Sequence, residues 1–205
     1  MAGRRPLTQA EVRACSDAFQ GRYHVRDKCL FVLGVCSGFR IMEMLSLRVG
    51  DVIVNQRVRA AVEVKRKFMK GKQSSRIIDL PPQAQLAVLA QAKSLVWASP
   101  ETFLFKAQGD KNKPISYERA RMVLLDTLMR IGAIENVGTH SLRKTFANEL
   151  FDELIEMQMN GARIDPFFEL SRALGHADPK STKHYISFRD QYRKAAINRL
   201  GGMFD

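Results

Sequence analysis

Apolar positions along the chain follow helical spacing almost throughout and change to alternation over one short stretch. Thr8-Gln9-Ala10-Glu11 has the spacing of a capping box and predicts a first helix to about Phe19. A second helix is expected from Arg26 to Cys36, with Leu30, Leu33 and Val35 among its apolar positions. After the break at Gly38, a short third helix carries Ile41, Met44, Leu45 and Leu47 and ends before Gly50. The period then changes. Asp51–Val54, Val58–Lys65 and Arg76–Leu80 read as three strands, with turns near Asn55-Gln56 and across Lys70–Ser74. Pro81-Pro82 ends the sheet and opens a helix to about Trp97, with Leu86, Leu89 and Val96 on one face. Ser116 caps a helix to about Ile131 that Gly132 terminates, and Thr139 caps the next, in which Leu142, Phe146 and Leu150 recur every four residues. Phe167–Leu174 forms a helix stopped by Gly175, Pro179–Tyr185 is compact, and Arg189–Leu200 is a last helix. The expected fold class is mainly α (α+β), a helical domain carrying one small three-stranded antiparallel sheet.

The chain has 205 residues, enough for one domain or a tight pair of subdomains, and neither a repeat nor a low-complexity linker divides it. A run of about 18 apolar residues, the signature of a membrane helix, does not occur. Cys15, Cys29 and Cys36 are odd in number and lack C-x-x-C spacing, which argues against a disulfide framework or structural zinc and for reduced thiols in the cytoplasm. The net charge of +12 favours a polyanionic partner through counterion release. Its distribution narrows the choice. Arg57, Arg59, Lys65, Arg66, Lys67, Lys70, Lys72 and Arg76 lie in one hairpin with a single acid, Glu63. Nucleic acid is one occupant for such a strip; a solvated strand face that blunts a sheet edge is the other reading.

The residues that could carry chemistry lie at helix starts. His140 and Arg143, three apart, project from one face near an expected helix N-terminus, where free N–H groups and the positive dipole end favour phosphate. Arg40 stands near another helix start, with Glu43 one turn on. Lys70 precedes Gly71 in the hairpin turn, and Leu174-Gly175-His176 is followed nine residues later by Tyr185. Each has a plainer reading alone: exposed surface charges for the arginines, histidines and Glu43, a solvated turn lysine, a half-buried tyrosine. No phosphate-binding G-x-x-x-x-G-K-[ST], no H-E-x-x-H and no Cys/His cluster occurs, so neither a nucleotide cofactor nor a metal is expected.

Taken in order, Arg40, Lys70, His140-x-x-Arg143, His176 and Tyr185 resemble the catalytic set of the tyrosine recombinase (phage integrase) family, and Ser37–Leu47 with Asp51-Val52 is similar to that family's first arginine box. The resemblance covers about Leu7 to Leu200. It implies transesterification at a DNA phosphodiester, in which Tyr185 attacks phosphorus and the 5′-oxygen leaves. A phenol with a pKa of about 10 is a poor nucleophile and an alkoxide a poor leaving group, so a proton acceptor, an acid and positive charge around the phosphate are all needed. Arg40 and Arg143 suit the clamp, His176 a further hydrogen bond, His140 the proton acceptor and Lys70 the acid, with Lys67 and Lys72 as rivals for that last role. Glu43 would orient a neighbouring arginine or histidine, and Lys65, Arg66, Lys67, Lys72 and Arg76 would contact DNA. The implied partners are double-stranded DNA and further copies of the chain in a tetrameric synapse, in a cytoplasmic, nucleoid-associated protein with no membrane role.

Two departures from the family pattern stand out. The separate N-terminal core-binding domain is expected to be absent, so residues 1–205 would be the catalytic domain alone, its basic face and an accessory protein partly offsetting that loss. Met157–Asp165 reads as an insertion, either a loop or a longer helical hairpin. A type IB topoisomerase, a telomere resolvase, a non-catalytic DNA-binding module of the same fold and a basic RNA-binding protein are the alternatives.

Overall fold

A computed structural model describes residues 4–64, 75–96, 98–109, 111–133, 135–176, 179–186 and 197–200. The chain divides into two compact units, Met1–Phe146 and Ala147–Asp205. The first holds helices α1 (Gln9–Asp17), α2 (His24–Ser37), α3 (Ile41–Leu45), α4 (Val49–Val52), α5 (Pro82–Ser94) and α6 (Tyr117–Arg130), with strands β1 (Ile53–Val54), β2 (Arg57–Val58), β3 (Ala61–Val64) and β4 (Arg76–Asp79). Helix α7 (Thr139–Met159) begins in the first unit and ends in the second, which also contains α8 (Pro166–Leu174), a 3-10 turn (Pro179–Thr182) and α9 (Lys183–Ile186). Among the described residues, no helix is long and apolar enough to cross a membrane.

Local signals explain most element boundaries. The Thr8 hydroxyl accepts from the Glu11 N–H and the Glu11 carboxylate accepts from the Thr8 N–H, so the expected capping box forms, and Arg5 grips Glu11 at 2.6 Å. Ser116 caps α6 as expected, through the Arg119 N–H. Thr139 is the first helical residue of α7 rather than its cap.

The mainly helical class with a small antiparallel component is as expected, but the sheet is divided. β1 pairs with β2 across Asn55-Gln56, both at positive φ (49° and 62°), which is the handedness a two-residue hairpin requires. β3 pairs with β4 in the register Val62↔Ile78 and Val64↔Arg76. The single expected strand Val58–Lys65 is interrupted because its backbone changes partner: the Arg59 N–H donates to Val52 O, whereas Ala60 O accepts from the Leu80 N–H. The start of the expected first strand, Asp51-Val52, is instead the end of α4, where Asp51 accepts from the Arg48 N–H.

The core of the first unit gathers Leu30, Phe31 and Leu33 of α2 with Val62, Ile78, Val88, Leu124 and Leu142. α5 meets this core through Ala84, Val88 and Gln91; Leu86 and Val96 of the expected face are exposed. Small side chains there allow close packing, and the buried Gln91 amide is satisfied by Leu104 O at 2.8 Å. Gly34 of α2 faces Leu142, where a Cβ would come within 2.6 Å of Cδ1. Gly38 ends α2 at φ 63° with Phe146 against its α-carbon, so both the handedness and the space require glycine. This close approach brings the end of α2 onto the first turns of α7.

In the second unit, Asp165 caps α8 by accepting from Phe167 and Phe168, and Pro166 occupies the first helical position. The expected insertion Met157–Asp165 is the last part of α7 plus a short connection turned at Gly161, φ 96°, which is the hairpin alternative rather than a long loop.

Candidate active site

In the first unit a cleft of about 340 Å³ is lined by Phe39–Glu43, Tyr117, Thr139, His140 and Arg143. Its floor is ionic. Glu43, only 1% exposed, accepts from the Arg40 backbone N–H (2.7 Å), from Arg40 Nη1 (2.8 Å) and from Arg76 Nη2 (2.6 Å). Arg143, 2% exposed, donates through Nη1 to the Gly38 carbonyl, and Arg76 Nη2 also approaches that oxygen at 3.5 Å. Arg40 keeps 37% of its side chain exposed and is the arginine through which the floor reaches solvent. At the rim, the Tyr117 and Thr139 hydroxyls lie 3.3 Å apart, at the starts of α6 and α7.

Charges across this cleft favour one set of protonation states. Burial alone would push the Glu43 carboxyl up; the Arg76 charge, the Arg40 N–H and the Arg40 charge more than reverse this, leaving it below the ordinary carboxylate range. His140 is shifted down, first by desolvation and then by Arg143, Lys144, Arg40 and Arg4, so its neutral, proton-accepting form is favoured at neutral pH. Desolvation also lowers the Lys144 ammonium.

The second unit positions a different pair. Gly175 ends α8 at φ 59°, and the His176 N–H closes back onto Ser171 O at 3.0 Å, which turns His176 out of the helix. His176 Nδ1 lies 2.8 Å from the hydroxyl of the fully buried Thr182. The His176 and Tyr185 rings are 5.3 Å apart between centroids and tilted by 38°. Tyr185 is half-buried on α9, whereas His184 beside it is exposed.

The sequence pattern of the phage integrase family matches residues 5–191. The chain belongs to the phage integrase family. A probable integrase/recombinase of Bacillus subtilis, YoeC, is 30% identical over 178 residues, spanning 87% of this chain and 86% of that one. Tyrosine recombinase XerD of Corynebacterium glutamicum is 31% identical over 83% of this chain, but the match spans only 53% of its own length. The fold is shared with the XerH site-specific recombinase in a post-cleavage complex with its palindromic difH substrate (TM-score 0.70, 19% identity, 96% of this chain and 53% of that one) and with XerA recombinase (TM-score 0.68, 18% identity, 95% and 66%). The chain thus spans most of YoeC and about half of XerD. Tyrosine recombinases of this family break and rejoin DNA strands, and this chain is a tyrosine recombinase by that membership.

Within this family's expected set, Arg40, His140 and Arg143 share the first unit's cleft, with Glu43 beneath Arg40. His176 and Tyr185 are neighbours in the second unit. Lys65, Arg66, Lys67, Lys70 and Lys72 lie outside the described residues. Arg76 requires a correction. It is not a surface DNA contact but a buried partner of Glu43, its side chain 7% exposed. Strand alternation is the reason: Arg76, Ile78 and Leu80 all point inward while Ile77 and Asp79 point out. That parity was readable in the sequence. Gly38, Tyr117 and Thr182 also belong to these sites; Tyr117 and Thr182 have no spacing signal that distinguishes them from ordinary helix-start residues.

Proposed function

We propose that this chain is the catalytic part of a site-specific DNA recombinase acting through a 3′-phosphotyrosine intermediate. Convergence of Arg40, His140 and Arg143 on one cleft over a buried carboxylate carries the reading. Arg40 and Arg143 stabilise the equatorial phosphate oxygens, where guanidinium forks match the geometry of the developing charge. The Tyr185 oxygen–phosphorus bond forms as the phosphorus–O5′ bond breaks. The phenolic proton passes to neutral His140, and Lys70 protonates the departing 5′-oxygen. His176 hydrogen-bonds a phosphate oxygen. Rejoining is the reverse step at a new 5′-hydroxyl, so the ester bond energy is conserved and no nucleotide is consumed.

Duplex DNA is the proposed partner, a reading supported by the positive charge of the chain and by XerH's complex with its DNA substrate. Residues 1–205 would act as the catalytic domain, in copies that assemble on DNA as a tetrameric synapse, with accessory protein surfaces adding grip. The test is capture of an SDS-stable protein–DNA adduct from a pool of nicked suicide duplexes. Wild-type protein should retain a reproducible sequence through a bond to Tyr185. Retention of DNA only without a covalent bond would instead identify a DNA-binding module of the same fold.

A further inference from the structure

Arg76 is the point at which the two phosphate-binding arginines are tied together. Glu43 holds Arg40 by two hydrogen bonds, and the Gly38 carbonyl holds Arg143. Arg76 Nη2 reaches both of these acceptors, Glu43 Oε2 at 2.6 Å and Gly38 O at 3.5 Å. The elements involved come from separate parts of the chain: Arg40 caps α3, which supplies Glu43, α7 supplies Arg143, β4 supplies Arg76, and Gly38 ends α2. The β4 side chain thus spans from the Glu43 carboxylate to the Gly38 carbonyl.

The charge balance gives Arg76 a second task. One buried carboxylate beside Arg40 alone would largely cancel the cation meant for phosphate. With Arg76 on the other oxygen, Glu43 is shared and the cleft retains positive charge from Arg40 and Arg143.

Resting on the proposed phosphate-holding role of the cleft, we propose that Arg76 is a positioning residue for recombination: by bridging Glu43 and Gly38 it sets the spacing of the Arg40 and Arg143 guanidiniums and preserves the charge they present to the scissile phosphate. It acts through Glu43 and Gly38 and does not itself contact DNA. Groups facing Glu43 are Arg40, which caps its helix, and Arg76 on β4, while His140 and Arg143 of α7 line the same cleft. Loss of the Arg76 charge leaves the desolvated Glu43 carboxyl with Arg40 alone, so it protonates at higher pH and then releases the Arg40 N–H and Nη1.

The experiment measures binding of inorganic phosphate to the full chain by NMR titration between about pH 5 and about pH 9, for wild type, R76K, R76Q and R40A. In wild type, phosphate binding should depend on Arg40. R76Q should weaken it roughly tenfold or more at neutral pH, with a further loss as pH falls that wild type and R76K lack; R76K should recover most of the affinity. If R76Q fails to fold, E43Q/R76Q removes both buried charges together and should bind phosphate weakly without the added loss at low pH. Wild-type affinity in either R76Q or E43Q/R76Q would overturn the positioning role while leaving the cleft as a phosphate site. Phosphate binding that R40A does not change would overturn the cleft reading and this inference together, a result distinct from the first.

Discussion

The cleft of the first unit is built on buried ionic hydrogen bonds, and the histidine–tyrosine pair of the second on a ring contact and a hydroxyl. The cleft's charges are fixed by hydrogen bonds involving α2, α3, β4 and α7, with Arg76 and Arg143 buried and Arg40 reaching solvent. Tyr185 lies on α9, which follows a 3-10 turn, its ring is 5.3 Å from that of His176, and His176 Nδ1 lies 2.8 Å from the Thr182 hydroxyl. Preorganised charge lowers a barrier only if it does not have to move when charge develops. A nucleophile has a different requirement, since it must advance onto phosphorus and later withdraw. The cleft's hydrogen-bonded arginines meet the first requirement, and Tyr185, as the proposed nucleophile, would have to meet the second.

The most severe break of the comparison is Tyr185→Phe. It should abolish the covalent adduct while DNA affinity, read by gel shift, stays within a few-fold of wild type; an adduct of normal yield would remove Tyr185 as nucleophile. Arg143→Ala strikes the preorganised side and should slow single-turnover cleavage by about 10²–10³, the scale of a lost oxyanion donor. It should also lower the melting temperature, because it empties a large buried site and leaves Gly38 O with the long 3.5 Å approach of Arg76 in place of its Arg143 donor. An unchanged cleavage rate would dismiss the clamp. Thr182→Val tests the pair of the second unit. Loss of one hydrogen bond to His176 should cost about 0.5–1.5 kcal/mol, up to roughly tenfold in cleavage, with phosphate binding to the first unit unaltered.

The smallest effect concerns proton transfer. His140 is depressed, so the fraction of neutral imidazole, and with it cleavage, should fall only below the ordinary histidine value of 6.5. Lys144→Met removes one of the charges that depress it, so the acid limb of the rate profile should move to higher pH. A shift in the other direction, or none, would separate His140 from the acid limb.

Sequence alone carried much of this. Capping at Thr8 and Ser116, the α8 stop at Gly175 and the helix-start placement of His140 were legible because each depends on residues within one turn. The divided sheet was not, since the break at Arg59-Ala60 arises from a change of hydrogen-bond partner, which is a tertiary fact. The α5 face was misread for a related reason: Leu86 and Val96 are the larger apolar residues, but close packing selected Ala84 and Val88. The family was readable from the order and spacing of Arg40, His140, Arg143, His176 and Tyr185, whereas Thr182 and Tyr117 acquire meaning only from what the fold places beside them. For Arg76 the charge of its neighbours in the chain obscured the alternation that turns it inward.

That alternation links folding fidelity to catalysis. A slip of β4 by one residue against β3 would exchange every inward and outward side chain, placing Ile77 rather than Arg76 beneath Glu43. The slipped chain would keep its helices and lose a buried cation beside a buried carboxylate, an arrangement penalised by several kcal/mol. The ion pair therefore acts as a checksum on strand register, so that a misaligned hairpin is rejected by electrostatics before it can present a faulty grip to DNA. Changes in length between the two strands are harmless to it provided Val64 still meets Arg76, whereas a single residue added inside β4 is not.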